Sequence, residues 1–168
     1  MKRKVLGFGI IGCGTISNWH ANAVLRVKGI QLTGVTDVNK EAREEFSKKF
    51  GTRVYVSVED MMTDENIDDV CICTQSGLHA PLAIMTANAG KHVITEKPMA
   101  ISLEEADSMI NASKKNNVKM AVISQLRFSD AVLRLKDAVS GSLLGRLVTS
   151  DVYMKYYRLQ GLGHHPDM

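Results

Sequence analysis

A glycine turn near the amino terminus constrains the fold of this chain more than any other stretch. It reads Gly-Ile-Ile-Gly-Cys-Gly-Thr-Ile-Ser over residues 9–17, and it closes an apolar, strand-like run over residues 5–11. A strand that ends in Gly-x-Gly and opens a helix leaves backbone N–H groups uncovered at the helix N-terminus, where the helix dipole favours an anion. The expected ligand is therefore the pyrophosphate of a dinucleotide. Taken alone the turn is a weak indication, because Ser17 replaces the third glycine of the Gly-x-Gly-x-x-Gly pattern.

Apolar, β-branched runs alternate with helix-like segments along the first 123 residues. Strands are expected over residues 5–11, 30–36, 54–56, 69–74, 92–95 and 119–123. Helices with capping residues at their starts and glycines at their ends separate these runs. Strands joined by helical crossovers predict an α/β fold, a Rossmann-type doubly wound parallel sheet with helices on both faces.

The character of the sequence changes after residue 123. A helix is expected over residues 129–140 and a long strand over residues 147–157, with nothing after it to pair with it. We therefore predict an NAD(P)-binding domain over residues 1–123 and the beginning of a second, incomplete domain over residues 124–168. An unpaired strand of this length is an aggregation edge unless another chain covers it, so a homo-oligomer is expected.

The composition excludes several classes of protein. Apolar residues make up 45% of the chain and charged residues 23%, which is ordinary for a globular protein and argues against disorder. The net charge is +3 and the basic residues are scattered, so nucleic acid is not expected as a partner. No apolar run approaches the roughly 20 residues of a membrane span, and no secretory cleavage pattern is present. We expect a cytoplasmic protein with no membrane association.

The three cysteines are interpreted as free thiols. Cys13 lies in the glycine turn, while Cys71 and Cys73 alternate on an apolar run, and no fourth ligand stands at metal spacing. No metal site is therefore expected. A thiol beside a phosphate-binding helix N-terminus could have a lowered pKa, which leaves a redox role for Cys13 as the less favoured interpretation.

Asp37 directly follows the second predicted strand and indicates which dinucleotide binds. In a mononucleotide-binding unit an acidic residue at this place accepts hydrogen bonds from the adenosine ribose. Its carboxylate would repel the extra phosphate of NADP, so NAD is the predicted cofactor. Lys40 and Arg43 could neutralise that phosphate, and NADP stays the alternative. A turn or helix-capping role for Asp37 is the other interpretation.

Lys97 is the candidate catalytic residue. It lies between Glu96 and Pro98 where the fifth strand ends, and ligands of doubly wound sheets bind outside the carboxyl ends of the strands. Its amine could assist proton transfer from a hydroxyl as hydride leaves the carbon, whereas an ordinary surface lysine is the alternative. A cis Lys97–Pro98 bond is compatible with the motif. His79 is interpreted as lining the cleft in preference to orienting substrate or shuttling a proton.

Four motifs together resemble the glucose-fructose oxidoreductase and inositol dehydrogenase family, often written Gfo/Idh/MocA. They are Gly-Ile-Ile-Gly-Cys-Gly-Thr-Ile (residues 9–16), Val-Thr-Asp-Val (35–38), Gly-Leu-His-Ala (77–80) and Gly-Lys-His-Val-Ile-Thr-Glu-Lys-Pro-Met-Ala (90–100). The resemblance covers most of residues 4–157 and implies that Lys97 acts in catalysis. Together with the turn it gives a set of predicted cofactor-binding residues: Gly12, Cys13, Gly14, Thr15, Ile16, Asp37, Thr74, His79 and Glu96.

The resemblance implies an NAD(P)-dependent dehydrogenase that moves hydride between a nicotinamide and a CH–OH carbon of a sugar, polyol or related substrate. Family members continue past the region of residues 156–158 into an α+β substrate domain that supplies an Asp and a His. We therefore expect a truncated chain that binds cofactor without a complete active site. His164-His165-Pro166-Asp167 is interpreted as a tail, because the family places Asp before His. Gln75 stands where the family often has Pro.

A function of a different class stays open at this point. A non-catalytic dinucleotide-binding module that senses redox state would have the same glycine turn and the same Asp37. The two functions differ at Lys97, which only the enzyme requires.

Overall fold

The computed structural model of the protein describes residues 5–155, and these form two compact units. The first unit extends to Ile123 and the second begins at Ser124.

A single parallel sheet of six strands organises the first unit. The strands are β1 (Leu6–Ile11), β2 (Ile30–Thr36), β3 (Arg53–Val54), β4 (Asp69–Ile72), β5 (His92–Thr95) and β6 (Met120–Val122). Their order across the sheet is β3-β2-β1-β4-β5-β6, and every neighbouring pair is parallel. This order confirms the predicted doubly wound Rossmann-type sheet, and its direction reverses between β1 and β4, where such sheets bind their ligands.

Five helices connect the six strands of the first unit, and a capping side chain marks the start of three of them. They are α1 (Thr15–Arg26), α2 (Lys40–Phe50), α3 (Val58–Thr63), α4 (His79–Asn88) and α5 (Leu103–Lys115). The side chains of Asn39, Ser57 and Ser102 cap α2, α3 and α5 by accepting hydrogen bonds from backbone N–H groups in the first turn. A short 3-10 turn over Ser76–Leu78 precedes α4.

Both faces of the sheet are covered by apolar side chains. Successive residues of a strand point to opposite faces, so Val70 and Ile72 of β4 pack in one apolar cluster while Cys71 packs in the other. Met61 and Met109 complete the first cluster with essentially no exposed surface. A parallel strand is buried on both sides in this way, which explains the uninterrupted apolar runs in the sequence.

Four strands have bounds that differ from the sequence-based expectation, and β1 differs least, since it begins at Leu6 in place of residue 5. β3 covers Arg53–Val54 in place of residues 54–56, because its pairing with β2 is confined to Arg53 with Gly34 and Val54 with Val35. β4 ends at Ile72 and β6 spans Met120–Val122, each shorter than predicted. Strand length is thus set by the neighbouring strand and less by the apolar run itself.

The second unit contains a 3-10 turn over Gln125–Phe128 and α6 (Asp130–Ser140). The predicted strand over residues 147–157 is wrong for the part that is described, because residues 147–155 form no strand. A strand needs a neighbour to accept and donate its backbone hydrogen bonds, and none pairs with this segment in residues 5–155. The expected homo-oligomer loses this support and stays a prediction.

The remaining residues of that predicted strand, and the His164-His165-Pro166-Asp167 segment, lie outside the described residues. Across residues 5–155, no helix is both long enough and apolar enough to span a membrane.

Candidate cofactor and active site

Gly12 sets the shape of the turn after β1. Its φ of +96° lies in the region that L-residues with a side chain rarely adopt. A Cβ at this position would lie 2.7 Å from the carbonyl oxygen of Cys73, which follows β4. The Gly12 N–H donates to the Thr36 carbonyl at 2.9 Å. The turn is therefore held against the ends of both neighbouring strands, at the point where the strand order reverses.

The N-terminus of α1 is open. Gly14 occupies the capping position, no side chain caps the helix, and a Cβ at Gly14 would meet nothing within 4 Å. An anion can approach the N–H groups of this first turn closely, as a pyrophosphate does in dinucleotide-binding folds. Thr15 and Ile16 follow directly in the same turn, the first exposed and the second partly buried.

Ser17 is fully buried and its hydroxyl donates to the Gly14 carbonyl at 2.5 Å. A small residue with its own internal hydrogen bond satisfies the packing that a third glycine usually allows. This contact explains why the fold accepts the departure from the Gly-x-Gly-x-x-Gly pattern.

Asp37 joins the tip of β2 to the glycine turn. One carboxylate oxygen accepts from the Cys13 N–H at 2.6 Å, and the other accepts from the Asn39 N–H at 2.7 Å. Asp37 therefore has the turn role considered from the sequence, and the same carboxylate also contacts the glycine turn. Each carboxylate oxygen keeps a second lone pair for a ribose hydroxyl.

The two cations near Asp37 have other partners. Arg43 donates through one guanidinium nitrogen to the carbonyls of Asp37 and Val56, at 2.9 and 3.3 Å. Lys40 is exposed and lies 3.9 Å from Glu44, one helical turn away. Arg43 thus ties the ends of β2 and β3 together through their backbone, which leaves the Asp37 carboxylate as the charge that faces the loop.

The thiol pKa values of all three cysteines are raised. Burial and, to a smaller extent, the nearby Asp37 carboxylate together raise the pKa of the Cys13 thiol to about 12. The lowered pKa considered for a redox Cys13 is therefore wrong: loss of solvent and a neighbouring negative charge both disfavour the thiolate. Burial also raises the pKa of Cys71, to about 12, and that of Cys73. All three thiols are free.

His79 connects the loops after β4 and β5. It is 1% exposed, and its Nδ1 and Nε2 atoms lie 2.7 Å from the Pro98 carbonyl and 3.0 Å from the Thr74 carbonyl. Both ring nitrogens are therefore occupied by backbone oxygens, which leaves none to face a ligand. The arrangement fixes Thr74 relative to the segment that carries Lys97.

Lys97 is exposed at the carboxyl end of β5, while its neighbour Glu96 is 6% exposed. The Lys97–Pro98 peptide bond is cis, in agreement with the sequence. The Lys97 backbone N–H donates to the Glu96 side chain, and His79 contacts the Pro98 carbonyl. The backbone that carries the Lys97 amine is therefore held on both sides. A lysine in this setting can exchange a proton with a bound hydroxyl.

His20 is a site residue that the sequence-based prediction missed. Its Nε2 lies 2.9 Å from Oε1 of Glu96, and both side chains are about nine-tenths buried, at 10% and 8% exposure. The available signal was its place on α1, next to the buried face formed by Ser17, Ala21 and Val24. A histidine beside such a face needs a polar partner.

A cavity of about 570 Å³ lies elsewhere, lined by residues between Arg53 and Asn66. Two of its charged groups pair, since Asp64 accepts from Arg53 at 3.0 Å, and Asp64 also accepts from the Tyr55 hydroxyl at 2.5 Å. None of the site residues predicted from the sequence lines this cavity. The contacts of Asp64 with Arg53 and Tyr55 indicate a structural role. Among the described residues no cluster of three or more His, Cys, Asp or Glu side chains could hold a metal ion.

Comparison with known proteins gives an independent view of these residues. The family model GFO_IDH_MocA, described as an oxidoreductase family with an NAD-binding Rossmann fold, matches residues 6–124. This range includes the glycine turn, Asp37, His79 and Lys97.

Named relatives and a solved structure extend the match. The myo-inositol 2-dehydrogenase of Thermotoga maritima is 32% identical over 139 residues, covering 82% of this chain and 42% of the relative. The glucose-6-phosphate 3-dehydrogenase of Bacillus subtilis is 32% identical, covering 88% of this chain and 41% of the relative. The WlbA dehydrogenase from Bordetella pertussis, crystallised with NADH and UDP-GlcNAcA, superposes with a TM-score of 0.82 at 35% identity. That match covers 87% of this chain and 42% of the other, so the chain spans about two-fifths of the length of these relatives.

Proposed function

Since the chain belongs to the Gfo/Idh/MocA oxidoreductase family and carries its NAD-binding Rossmann domain, we propose that it serves hydride transfer between NAD and a hydroxyl-bearing carbon. The observation that carries the proposal is that the exposed Lys97 follows β5 and the open N-terminus of α1 follows β1. Both therefore lie at the carboxyl ends of strands of the same sheet. The helix N-terminus can bind the pyrophosphate of a dinucleotide, and the Lys97 amine can accept or donate a proton.

The cofactor would bind across the carboxyl ends of the strands. The N–H groups at the start of α1 would hold the pyrophosphate, and Asp37 would accept hydrogen bonds from the adenosine ribose. NAD supplies a nicotinamide ring that accepts or gives hydride. Asp37 favours NAD over NADP, because its carboxylate would repel a 2'-phosphate and Arg43 is turned to backbone carbonyls.

Lys97 would handle the proton that accompanies hydride transfer. As a substrate alcohol becomes a carbonyl, its hydroxyl proton passes to the Lys97 amine, and in the reverse direction the ammonium returns it. A lysine can do this only if its amine is held within hydrogen-bond reach of the hydroxyl. The anchoring of the adjacent backbone by Glu96 and His79 supports that geometry.

A sugar, a polyol or a related polyhydroxylated molecule is the proposed substrate class. The names of the relatives support it, since they refer to myo-inositol and glucose 6-phosphate. We also propose that residues up to Ile123 form the cofactor domain and that Ser124 begins a second domain.

The test combines cofactor binding with turnover. The chain, in the longest form its gene encodes, is incubated with NAD and a panel of polyols, sugar phosphates and nucleotide sugars while NADH formation is followed. Lys97→Ala should lower turnover on the order of 100-fold or more, within the range of general acid–base catalysis, and leave the Kd for NADH unchanged. The matched control is Lys115→Ala at the end of α5, which should change neither quantity.

Other outcomes separate the alternatives. Full turnover in Lys97→Ala would contradict the role of this lysine. Tight NADH binding with no oxidation of any panel member would favour a non-catalytic dinucleotide-binding module instead.

A further inference from the structure

The pair formed by His20 and Glu96 links two parts of the site that are 76 residues apart in sequence. His20 lies in α1, the helix whose open N-terminus faces the proposed pyrophosphate position. Glu96 directly follows β5 and directly precedes Lys97. Their contact, Nε2 to Oε1 at 2.9 Å, is nearly removed from solvent.

The second oxygen of the same carboxylate continues the link. Oε2 of Glu96 accepts a hydrogen bond from the Lys97 backbone N–H at 3.3 Å. Glu96 therefore has one oxygen on α1 and the other on the backbone that carries the proposed catalytic amine. Both oxygens of the Glu96 side chain thus have partners within the protein, whereas the family resemblance implied a direct contact between Glu96 and the cofactor.

A buried carboxylate requires such partners. Without a donor, a buried charged group loses its hydration and gains nothing in return, so it moves to solvent or takes up a proton. His20 supplies the shorter of the two recorded hydrogen bonds to Glu96. Removing His20 would free the carboxylate to rotate, and the Lys97 N–H would lose the acceptor that holds it.

We propose that His20 is a positioning residue that orients Lys97 through Glu96. The inference rests on the proposed function of Lys97, since orientation matters only if that amine transfers a proton. Because His20 belongs to α1, the helix that seats the cofactor also fixes the lysine. Misplacement of a catalytic group by about 1 Å can lower a rate on the order of 100-fold, so this link has a measurable effect.

The experiment compares two replacements of His20. His20→Gln keeps an N–H donor near the position of Nε2, whereas His20→Met fills the space without one. The proposal expects His20→Met to lower kcat about 10- to 100-fold with an unchanged Kd for NADH, and His20→Gln to restore most of the loss. A purely structural role would show no dependence on the donor.

A second readout does not depend on turnover. Amide hydrogen exchange at Lys97 is measured by NMR in each variant, and exchange should be at least about 10-fold faster in His20→Met than in wild type or His20→Gln. The matched control is His92→Gln, which replaces a histidine at the opposite end of β5 and should leave Lys97 exchange unchanged. If Lys97→Ala keeps full turnover, the proposed function fails, and the exchange data still decide whether His20 holds Lys97.

A further variant guards against loss of the fold. In His20→Met/Glu96→Leu both members of the buried pair become apolar, a replacement that proteins often tolerate. Fast Lys97 exchange and reduced kcat in this double variant support the proposal. Wild-type exchange and wild-type kcat in His20→Met or in the double variant, or a His20→Gln as impaired as His20→Met, would overturn it.

Discussion

The Cys13 N–H donates to a carboxylate oxygen of Asp37 at 2.6 Å, so the glycine turn and the tip of the second strand form one unit. The contact places a fixed negative charge beside the loop that is proposed to hold the pyrophosphate. In the proposed function, this carboxylate distinguishes a free ribose from a phosphorylated one. The proposed preference for NAD over NADP depends on its charge.

Asp37→Asn should reduce that preference. An asparagine oxygen can still accept from the Cys13 N–H, but its NH2 group cannot accept from the Asn39 N–H, and the negative charge is lost. We expect the Kd for NADH to rise about 10-fold and the ratio of the NADPH and NADH dissociation constants to fall by a similar factor. Calorimetric titration with both cofactors measures the ratio. Lys115→Ala, which removes a lysine in the last turn of α5, is the control and should leave the ratio as it is in the wild type.

Gly12 and Gly14 should respond differently to the same substitution. Gly12→Ala introduces a Cβ at positive φ and 2.7 Å from a backbone oxygen, and should destabilise the fold by about 1 to 3 kcal/mol. Gly14→Ala meets no protein atom within 4 Å and should leave the urea midpoint unchanged. Its methyl group occupies the proposed pyrophosphate space, so NADH affinity should still fall at least about 10-fold. Equal stability losses in the two variants would refute this interpretation of the turn.

His79 should contribute to stability through the two loops it joins. His79→Leu leaves at least one buried carbonyl, of Thr74 or Pro98, without its donor, which costs about 1 to 3 kcal/mol. Urea unfolding monitored by circular dichroism measures the loss. The neighbouring Leu78 is 41% exposed, and Leu78→Ala should change stability by less than half as much. A His79→Leu protein as stable as the wild type would show that these contacts do not hold the loops.

The acid limb of the stability curve should depend on Asp64. The Tyr55 hydroxyl and the Asn66 N–H donate to this carboxylate and hold its pKa at about 2, below the ordinary 3.8. A depressed folded-state pKa means that the carboxylate stabilises the fold fully above pH 3.8 and loses this contribution as the pH falls from 3.8 towards 2. The urea midpoints of wild type and Asp64→Asn should therefore converge over that interval. A constant difference between them would assign the stabilisation to something other than the charge.

The sequence predicted the sheet well because the relevant signals are local. The glycine turn, the apolar runs and the glycines after helices each act within a few residues, and together they imply parallel strands with helical crossovers. The strand predicted over residues 147–157 is wrong over residues 147–155 for the complementary reason, since a strand forms only beside a neighbour and no local pattern supplies one. The length of β3 was likewise decided by pairing with Gly34 and Val35.

The site was predicted in part for the same physical reason. Asp37 follows β2 directly and Lys97 follows β5 after one residue, and strand ends meet at one edge of a parallel sheet. The contact between His20 and Glu96 spans 76 residues and depends on how α1 packs, so no spacing rule indicates it. The occupied ring nitrogens of His79 and the raised pKa of Cys13 also follow from packing, because burial decides which polar groups keep their solvent.

Titration with NADH tests the central claim most directly. The chain has a single tryptophan, Trp19, which lies in α1 close in sequence to the open helix N-terminus, so bound NADH should quench its emission by energy transfer. The account predicts saturable quenching by one NADH per chain, with a Kd between about 1 μM and 1 mM, weaker binding of NADPH, and a Kd for NADH raised at least about 10-fold in Gly14→Ala. Absence of saturable NADH binding in the folded wild-type protein, or undiminished binding in Gly14→Ala, would contradict it.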